Sequence, residues 1–351
     1  METTASQDST PPVMKRLPAN AYIRGFLVIL VVVGIGFLFT WLGSDRTLPF
    51  TPSAMLATPS TVLFFTILWS FVLNWIVGIP AVVLQTEKFF DLTGSLTFIT
   101  CTLFSLLVGS SPQSSSSSSW SLNPRALIQS IFVLLWAVRL GSFLYGRIQK
   151  DSKDGRFDEI KINAPRFFAV WTIQALWVAL TALPVFVVNS YAQSATTRDA
   201  NEVRALDIVG YVVWAVGFAI EVVADRQKGV FAADSSNKGK YIEVGLWYYS
   251  RHPNYFGEMT LWLGQFIAAL RTFEGSQFAL AFCPLFVAFL LVKVSGVPAL
   301  ERRADEKWGG SVEYELYKSN TSVLVPWLKG GKTEADHKQT LLGNKAGNAA
   351  V

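Results

Sequence analysis

Charge is what this sequence has least of. Only 16% of its 351 residues are Asp, Glu, Lys or Arg, while 51% are hydrophobic; soluble domains carry about 25% charged residues. Histidine is scarcer still, with two in the chain, which excludes a histidine-rich metal centre, and no metal ligands are proposed. The two cysteines, Cys101 and Cys283, both fall inside apolar runs. They imply no disulfide framework, and neither has a metal-ligating neighbour. No GxGxxG follows a strand pattern, and there is no Walker loop and no HExxH. A serine-type triad needs a buried histidine with an acid partner, and nothing in the pattern supports one. The net charge of +5 is spread over several loops. It forms no nucleic-acid patch, and no feature points to a protein partner.

What the chain has is apolar blocks of membrane-spanning length. They predict an all-α, polytopic transmembrane helical bundle of about seven or eight spans, with the lipid bilayer as its surroundings. The spans are expected at 26–42, 61–84, 92–108, 126–145, 167–188, 208–224, 253–270 and 278–297, the fifth broken by Pro184. Residues 1–23 read as a disordered segment, 110–123 as a serine-rich loop and 329–351 as a disordered tail; 24–328 form the integral membrane domain. With the N-terminus on the cytosolic side, most Lys and Arg of the connections fall on that side of an eight-span chain, as does the C-terminus. A seven-span version leaves one weak run lying on the surface.

The stretch at 245–258, GLWYYSRHPNYFGE, stands out. It places Arg251, His252 and five aromatic residues directly before an apolar run. Ser250 is expected to cap the helix that follows, and Pro253 fits its first turn. Asn254 and Glu258 are four apart and share one helix face. Free N–H groups beside Arg251 suit an anionic ligand. A juxtamembrane anchor explains Arg251 and the tyrosines, but not Asn254 and Glu258 on the membrane side of them. Upstream, Glu221, Asp225 and Lys228 follow helical spacing; spacing alone does not decide between a salt-bridge cluster and a site. Arg139, inside the fourth span, needs an acid or a phosphate, whereas Lys293 can snorkel.

Three segments, ADRQK, GLWYYSRHPNYFGE and EYELYKSNTSVLVPW, together with the upstream DLTGSLTF, RLGSFLYGRI and DGRFDEI, resemble the DUF1295 family of membrane proteins with a steroid 5α-reductase-like C-terminal part, here 205–328. The wider superfamily contains steroid and sterol reductases and isoprenylcysteine carboxyl methyltransferases. The resemblance implies a steroid-reductase-like fold with a cytosol-facing cofactor pocket. It implies that Asn254 and Glu258 hold the nicotinamide end of NADPH and that Asp225 contacts the cofactor. Glu221 stands where steroid reductases carry Asn. Lys228 belongs to the same helix face as Glu221 and Asp225. Tyr241, Arg251, His252 and Tyr255 would line the nucleotide and phosphate path, and Glu301 and Arg302 would close the pocket. The Glu and Tyr that bind the substrate ketone in steroid reductases have no clear counterpart; Asp91 and Ser95 are the candidates for catalytic residues. The expected function is NADPH-dependent reduction of an activated C=C bond in a lipid or sterol-like substrate, in an endoplasmic-reticulum-like membrane. The alternatives are S-adenosylmethionine-dependent methylation of a lipid or lipidated substrate, and non-enzymatic lipid binding.

Overall fold

A computed structural model describes residues 18–44, 58–111, 122–151, 154–193, 202–294 and 296–331, with the side chains of 147–151 left out. Most of the expected N-terminal segment, the serine loop and the C-terminal tail lies outside the described residues. Within them the chain is all-α and polytopic. Seven helical segments are long and apolar enough to cross a membrane. The backbone falls into two compact units, 1–202 with 272–280, and 203–271 with 281–351.

The first unit holds α1 (Ala19–Gly43), α2 (Pro59–Val83), α3 (Phe90–Gly109), α4 (Pro124–Asp151) and α5 (Ala164–Ser190). Their starts follow from local chemistry. Thr58 Oγ1 accepts from Thr61 N at 3.3 Å with Pro59 in the first turn of α2, and Asn163 Oδ1 accepts from Arg166 N at 3.2 Å with Pro165 in the first turn of α5. Helix α5 is buried along nearly its whole length and is the core of this unit. It runs unbroken through Pro184, where a break was expected. A spanning helix tolerates the lost hydrogen bond when neighbouring helices enclose it.

Because apolar surface gains little by leaving lipid for another apolar surface, close fit and polar clasps carry the packing. Trp171 fills the notch left by Gly78, where a Cβ would lie 2.8 Å from its ring. Gln174 Nε2 donates to Asn74 Oδ1 at 2.9 Å and to the Phe90 carbonyl at 3.0 Å, tying α5 to α2 and α3. Asn189 Nδ2 donates to Ser105 at 2.9 Å and Ser130 at 3.0 Å, tying α5 to α3 and α4. Each such bond contributes about 0.6 kcal/mol. At the other end, the buried Glu87 pairs with Lys161 at 3.1 Å and accepts from Asp154 N.

The second unit contains α6 (Ala205–Ala233), α7 (Leu246–Tyr249), α8 (Pro253–Ala269), α9 (Phe282–Phe289), α10 (Val297–Trp308) and α11 (Val312–Asn320), with a π-helical turn at Leu290–Val294. Helix α6 does not end at Ala224, where its apolar run stops. It continues through DRQKGVFA to Ala233, because Arg, Gln, Lys and Ala favour helix and the extension is largely exposed. Helix α8 has 17 residues, about 25 Å, below the length of a free-standing span. It lies antiparallel to α6 through four glycines. A Cβ on Gly257 would stand 2.6 Å from Glu221 N, and one on Gly264 would stand 2.5 Å from Trp214 N; Gly217 and Gly210 make the reciprocal approaches to Leu261 and Ala268. The Arg271–Asp207 ion pair, 2.8 Å, closes the far end of this seam.

Candidate functional site

The near end of the α6–α8 seam carries the residues singled out in the sequence. Asn254 Nδ2 donates to Asp225 Oδ1 at 3.2 Å, joining the two helices one turn beyond the buried Glu221. Glu258 follows one turn further along α8 and is half-buried. Helix α8 takes Pro253 in its first turn, but its N-cap is His252, with no side-chain cap. Ser250, expected as the cap, instead accepts from His252 N at 3.2 Å and donates to the Leu324 carbonyl at 2.7 Å. The extended backbone at Ser250 turns its hydroxyl toward the C-terminal segment, which competes for it.

Short α7 is fixed to the extension of α6. Trp247 Nε1 donates to the Ala224 carbonyl at 3.0 Å, and Lys228 Nζ stands 5.1 Å from the Trp247 ring centroid. Gln227 Oε1 accepts from Leu246 N at 2.9 Å. Gly245, at φ 62°, makes this possible, since a Cβ there would strike Gln227.

Arg251 and His252 converge on one carboxylate. Arg251 Nη2 pairs with Glu301 Oε2 at 3.2 Å, and His252 Nε2 donates to Glu301 Oε1 at 2.7 Å. Arg251 Nη1 also donates to the Lys318 carbonyl at 2.9 Å, and the His252 ring stacks on Tyr255, 5.8 Å between centroids. Three buried polar atoms here have no hydrogen-bond partner among the described residues: Arg251 Nε, His252 Nδ1 and Asn254 Oδ1. Each leaves a cost of about 1–3 kcal/mol that a ligand or ordered water would remove.

Arg251, His252 and Glu301 border a cavity of about 460 Å³ formed wholly by the second unit. Among the described residues its cations are Lys228, Lys238, Lys240, Arg251, Arg303 and Lys307, and its single acid is Glu301, already engaged by Arg251 and His252. Its walls are aromatic. The Tyr241 ring lies 5.1 Å from Tyr317, 5.3 Å from Tyr314 and 5.9 Å from Trp308. Tyr317 donates to the Trp247 carbonyl at 3.1 Å, and Tyr314 to Asp305 at 3.1 Å. Burial pushes both hydroxyls above the ordinary phenol range, with the Asp305 bond adding to the effect at Tyr314, so both remain neutral donors.

Of the residues predicted for the site, Lys228, Tyr241, Arg251, His252 and Glu301 line the cavity. Asp225, Asn254 and Glu221 gather on the α6–α8 seam, with Tyr255 stacked beside His252. Arg302 is exposed on α10 and is not among the lining residues, whereas its neighbours Arg303 and Lys307 are. The four-residue interval from Arg303 to Lys307 was the available signal. Tyr314 and Tyr317, three apart on α11, line the cavity too and carry the same kind of signal. Asp91 and Ser95 belong to α3 in the first unit. Asp91 pairs with Arg156 at 3.2 Å, and Ser95 donates to the Asp91 carbonyl at 3.4 Å. Among the described residues, no three His, Cys, Asp or Glu side chains gather as a metal site.

The family model described as "Protein of unknown function (DUF1295)" matches residues 74–321, which include every wall of the cavity. No curated protein and no solved structure matches the chain.

Proposed function

The chain belongs to the DUF1295 family, and on the chemistry of its cavity we propose that it is a membrane-embedded NADPH-dependent reductase of an activated C=C bond in a lipid or sterol-like substrate. One observation carries the reading: six cations and one already-paired acid line an aromatic-walled cavity at the start of α8. That balance suits the phosphates of a dinucleotide. It disfavours the positive sulfonium of S-adenosylmethionine, the cofactor of the competing methyltransferase reading.

The residues fit the group. Arg251 Nε and His252 Nδ1 are buried at the cavity with no hydrogen-bond partner among the described residues, and Asn254 Oδ1 is in the same state on the adjoining seam. Arg251 and the lysines would bind phosphate oxygens, while Tyr241, Tyr317 and Trp308 would pack against the nucleotide. Glu301 positions Arg251 and His252 through one carboxylate. Asn254, Asp225 and Glu258 would orient the nicotinamide end from the α6–α8 seam, with Glu221 behind them. NADPH, when bound, supplies the hydride. The protein's part is to hold the reacting ends together and exclude water. The basic-residue bias of the connections supports cytosolic termini; the endoplasmic-reticulum-like membrane rests on the family resemblance.

Thermal unfolding tests the cofactor class. NADPH at about 100 times its dissociation constant should stabilise the purified protein by about 2.7 kcal/mol, and S-adenosylmethionine should not. The opposite preference moves the protein to the methyltransferase reading. Stabilisation by neither, with retained binding of a sterol-like lipid, would favour non-enzymatic lipid binding.

A further inference from the structure

After α11 the chain turns back beside residues 248–251 as a bent strap. Arg251 N donates to the Ser322 carbonyl at 2.8 Å within a parallel bridge between Ser250 and Ser322. Ser250 Oγ donates to the Leu324 carbonyl at 2.7 Å, and Trp327 N donates to the Tyr249 carbonyl at 3.2 Å. Val323, Val325 and Trp327 are 40%, 49% and 70% exposed, and Leu328, next in the chain, is 79% exposed. Tyr248 and Tyr249 are exposed beside them.

The position of the strap says what covers this edge. Trp247 Nε1 bonds the carbonyl of Ala224, the last residue of the apolar run of α6 before Asp225, Arg226 and Lys228. The strap meets residues 249–251, and α8 begins two residues later at Pro253. The exposed edge therefore lies where α6 passes from apolar to charged sequence and where α8 starts. Its composition is that of a membrane interface, with Trp327, Tyr248 and Tyr249 beside aliphatic residues and Lys329 immediately after them. Lys329 Nζ rests 4.3 Å from the Tyr248 ring centroid, a cation over an aromatic face at the polar rim.

We propose that the strap 322–328 is an interfacial membrane anchor, whose Val325, Trp327 and Leu328 enter the headgroup and upper acyl region beside the ends of α6 and α8. Its backbone bonds to Ser250 and Arg251 connect that lipid contact to the wall of the cavity. The inference is independent of which cofactor the cavity takes.

The test is fluorescence quenching of an environment-sensitive label on Leu328→Cys, and separately on Val325→Cys, in the full-length protein reconstituted into vesicles. Native Cys101 and Cys283 are buried and give the background. Glu313→Cys, exposed on α11, is the aqueous control. The strap labels should be quenched by lipids carrying a nitroxide just below the headgroup and protected from iodide, with the Glu313 label showing the reverse. Either strap label suffices if the other variant does not fold. Iodide quenching equal to the control would overturn the proposal. Protection from both quenchers would also overturn it, because the edge would then be covered by a second copy or another protein.

Discussion

Arg251 and His252 share the carboxylate of Glu301, at 3.2 Å and 2.7 Å, so the one acid among the described residues lining the cavity is spent on aligning a cation and an imidazole. Adjacent residues in the chain are rarely directed to one group. They are here because α8 begins immediately after them and α10 brings Glu301 to meet them.

That arrangement predicts a contrast between neighbours. Glu301→Ala removes the partner of both side chains and should weaken NADPH binding at least tenfold. It should also cost about 1–2 kcal/mol of stability, discounted from a fully buried pair because both partners retain some solvent contact. Arg302→Ala, one residue on but exposed, should leave both within error. Isothermal titration and thermal unfolding of the two variants read this directly, and equal effects would remove Glu301 from the site.

A second prediction concerns the α6–α8 seam. Gly257→Ala or Gly264→Ala forces a methyl group into backbone of α6, since the nearest atoms are Glu221 N and Trp214 N. Each should destabilise by about 1–3 kcal/mol through overpacking. Gly229→Ala, on the same α6 but with open space around it, should be neutral or stabilise slightly, because alanine is the better helix former. A seam tolerant of alanine at 257 and 264 would mean that the helices do not pack backbone to backbone.

The same seam predicts that α8 crosses the membrane despite its length. From the Asp225–Asn254 bond to the Arg271–Asp207 pair, it follows α6 across the apolar part of that helix. Cysteines at Lys238 and Glu274 should therefore label from opposite sides of sealed vesicles. Ser116, in the serine loop outside the described residues, should label opposite Lys238. Labelling of Lys238 and Glu274 from one side would make α8 a re-entrant segment.

The C-terminal end separates cover from tail. Truncation after Gly331 should leave expression and nucleotide binding intact. Truncation after Ser311 removes Tyr314, Tyr317 and the Lys318 carbonyl that holds Arg251, and should abolish binding. Tyr317→Phe, losing one hydroxyl bond to the Trp247 carbonyl, should cost about 0.5–1.5 kcal/mol in unfolding free energy. Equal tolerance of the two truncations would take α11 out of the cavity wall.

The spans were legible in the sequence because apolar run length answers directly to bilayer thickness, and 245–258 was legible because Arg251, Asn254 and Glu258 are costly there without a purpose. The extension of α6 was not, since a hydropathy reading ends a span where the apolar residues end, at Ala224, while backbone propensity carries the helix on to Ala233. That extension places Lys228 and Phe231 on the cavity. The four-residue interval from Arg303 to Lys307 marks one face of α10, but nothing in the sequence says that this face, rather than that of Arg302, meets the cavity. The role of Ser250 depended on a contact with Leu324, 74 residues away, that no local rule contains.

The account turns on whether the cationic cavity takes an anionic dinucleotide. The decisive measurement is equilibrium titration of NADPH and of S-adenosylmethionine into the parent protein, Arg251→Gln and Lys307→Gln in lipid nanodiscs. The account predicts that the parent prefers NADPH. Each neutralisation should then weaken NADPH by roughly 1–3 kcal/mol, the worth of a hydrogen bond to a charged group, and Lys307→Gln should leave unfolding without ligand unchanged. NADPH affinity unaffected by both substitutions, or tighter binding of S-adenosylmethionine by the parent, would contradict it.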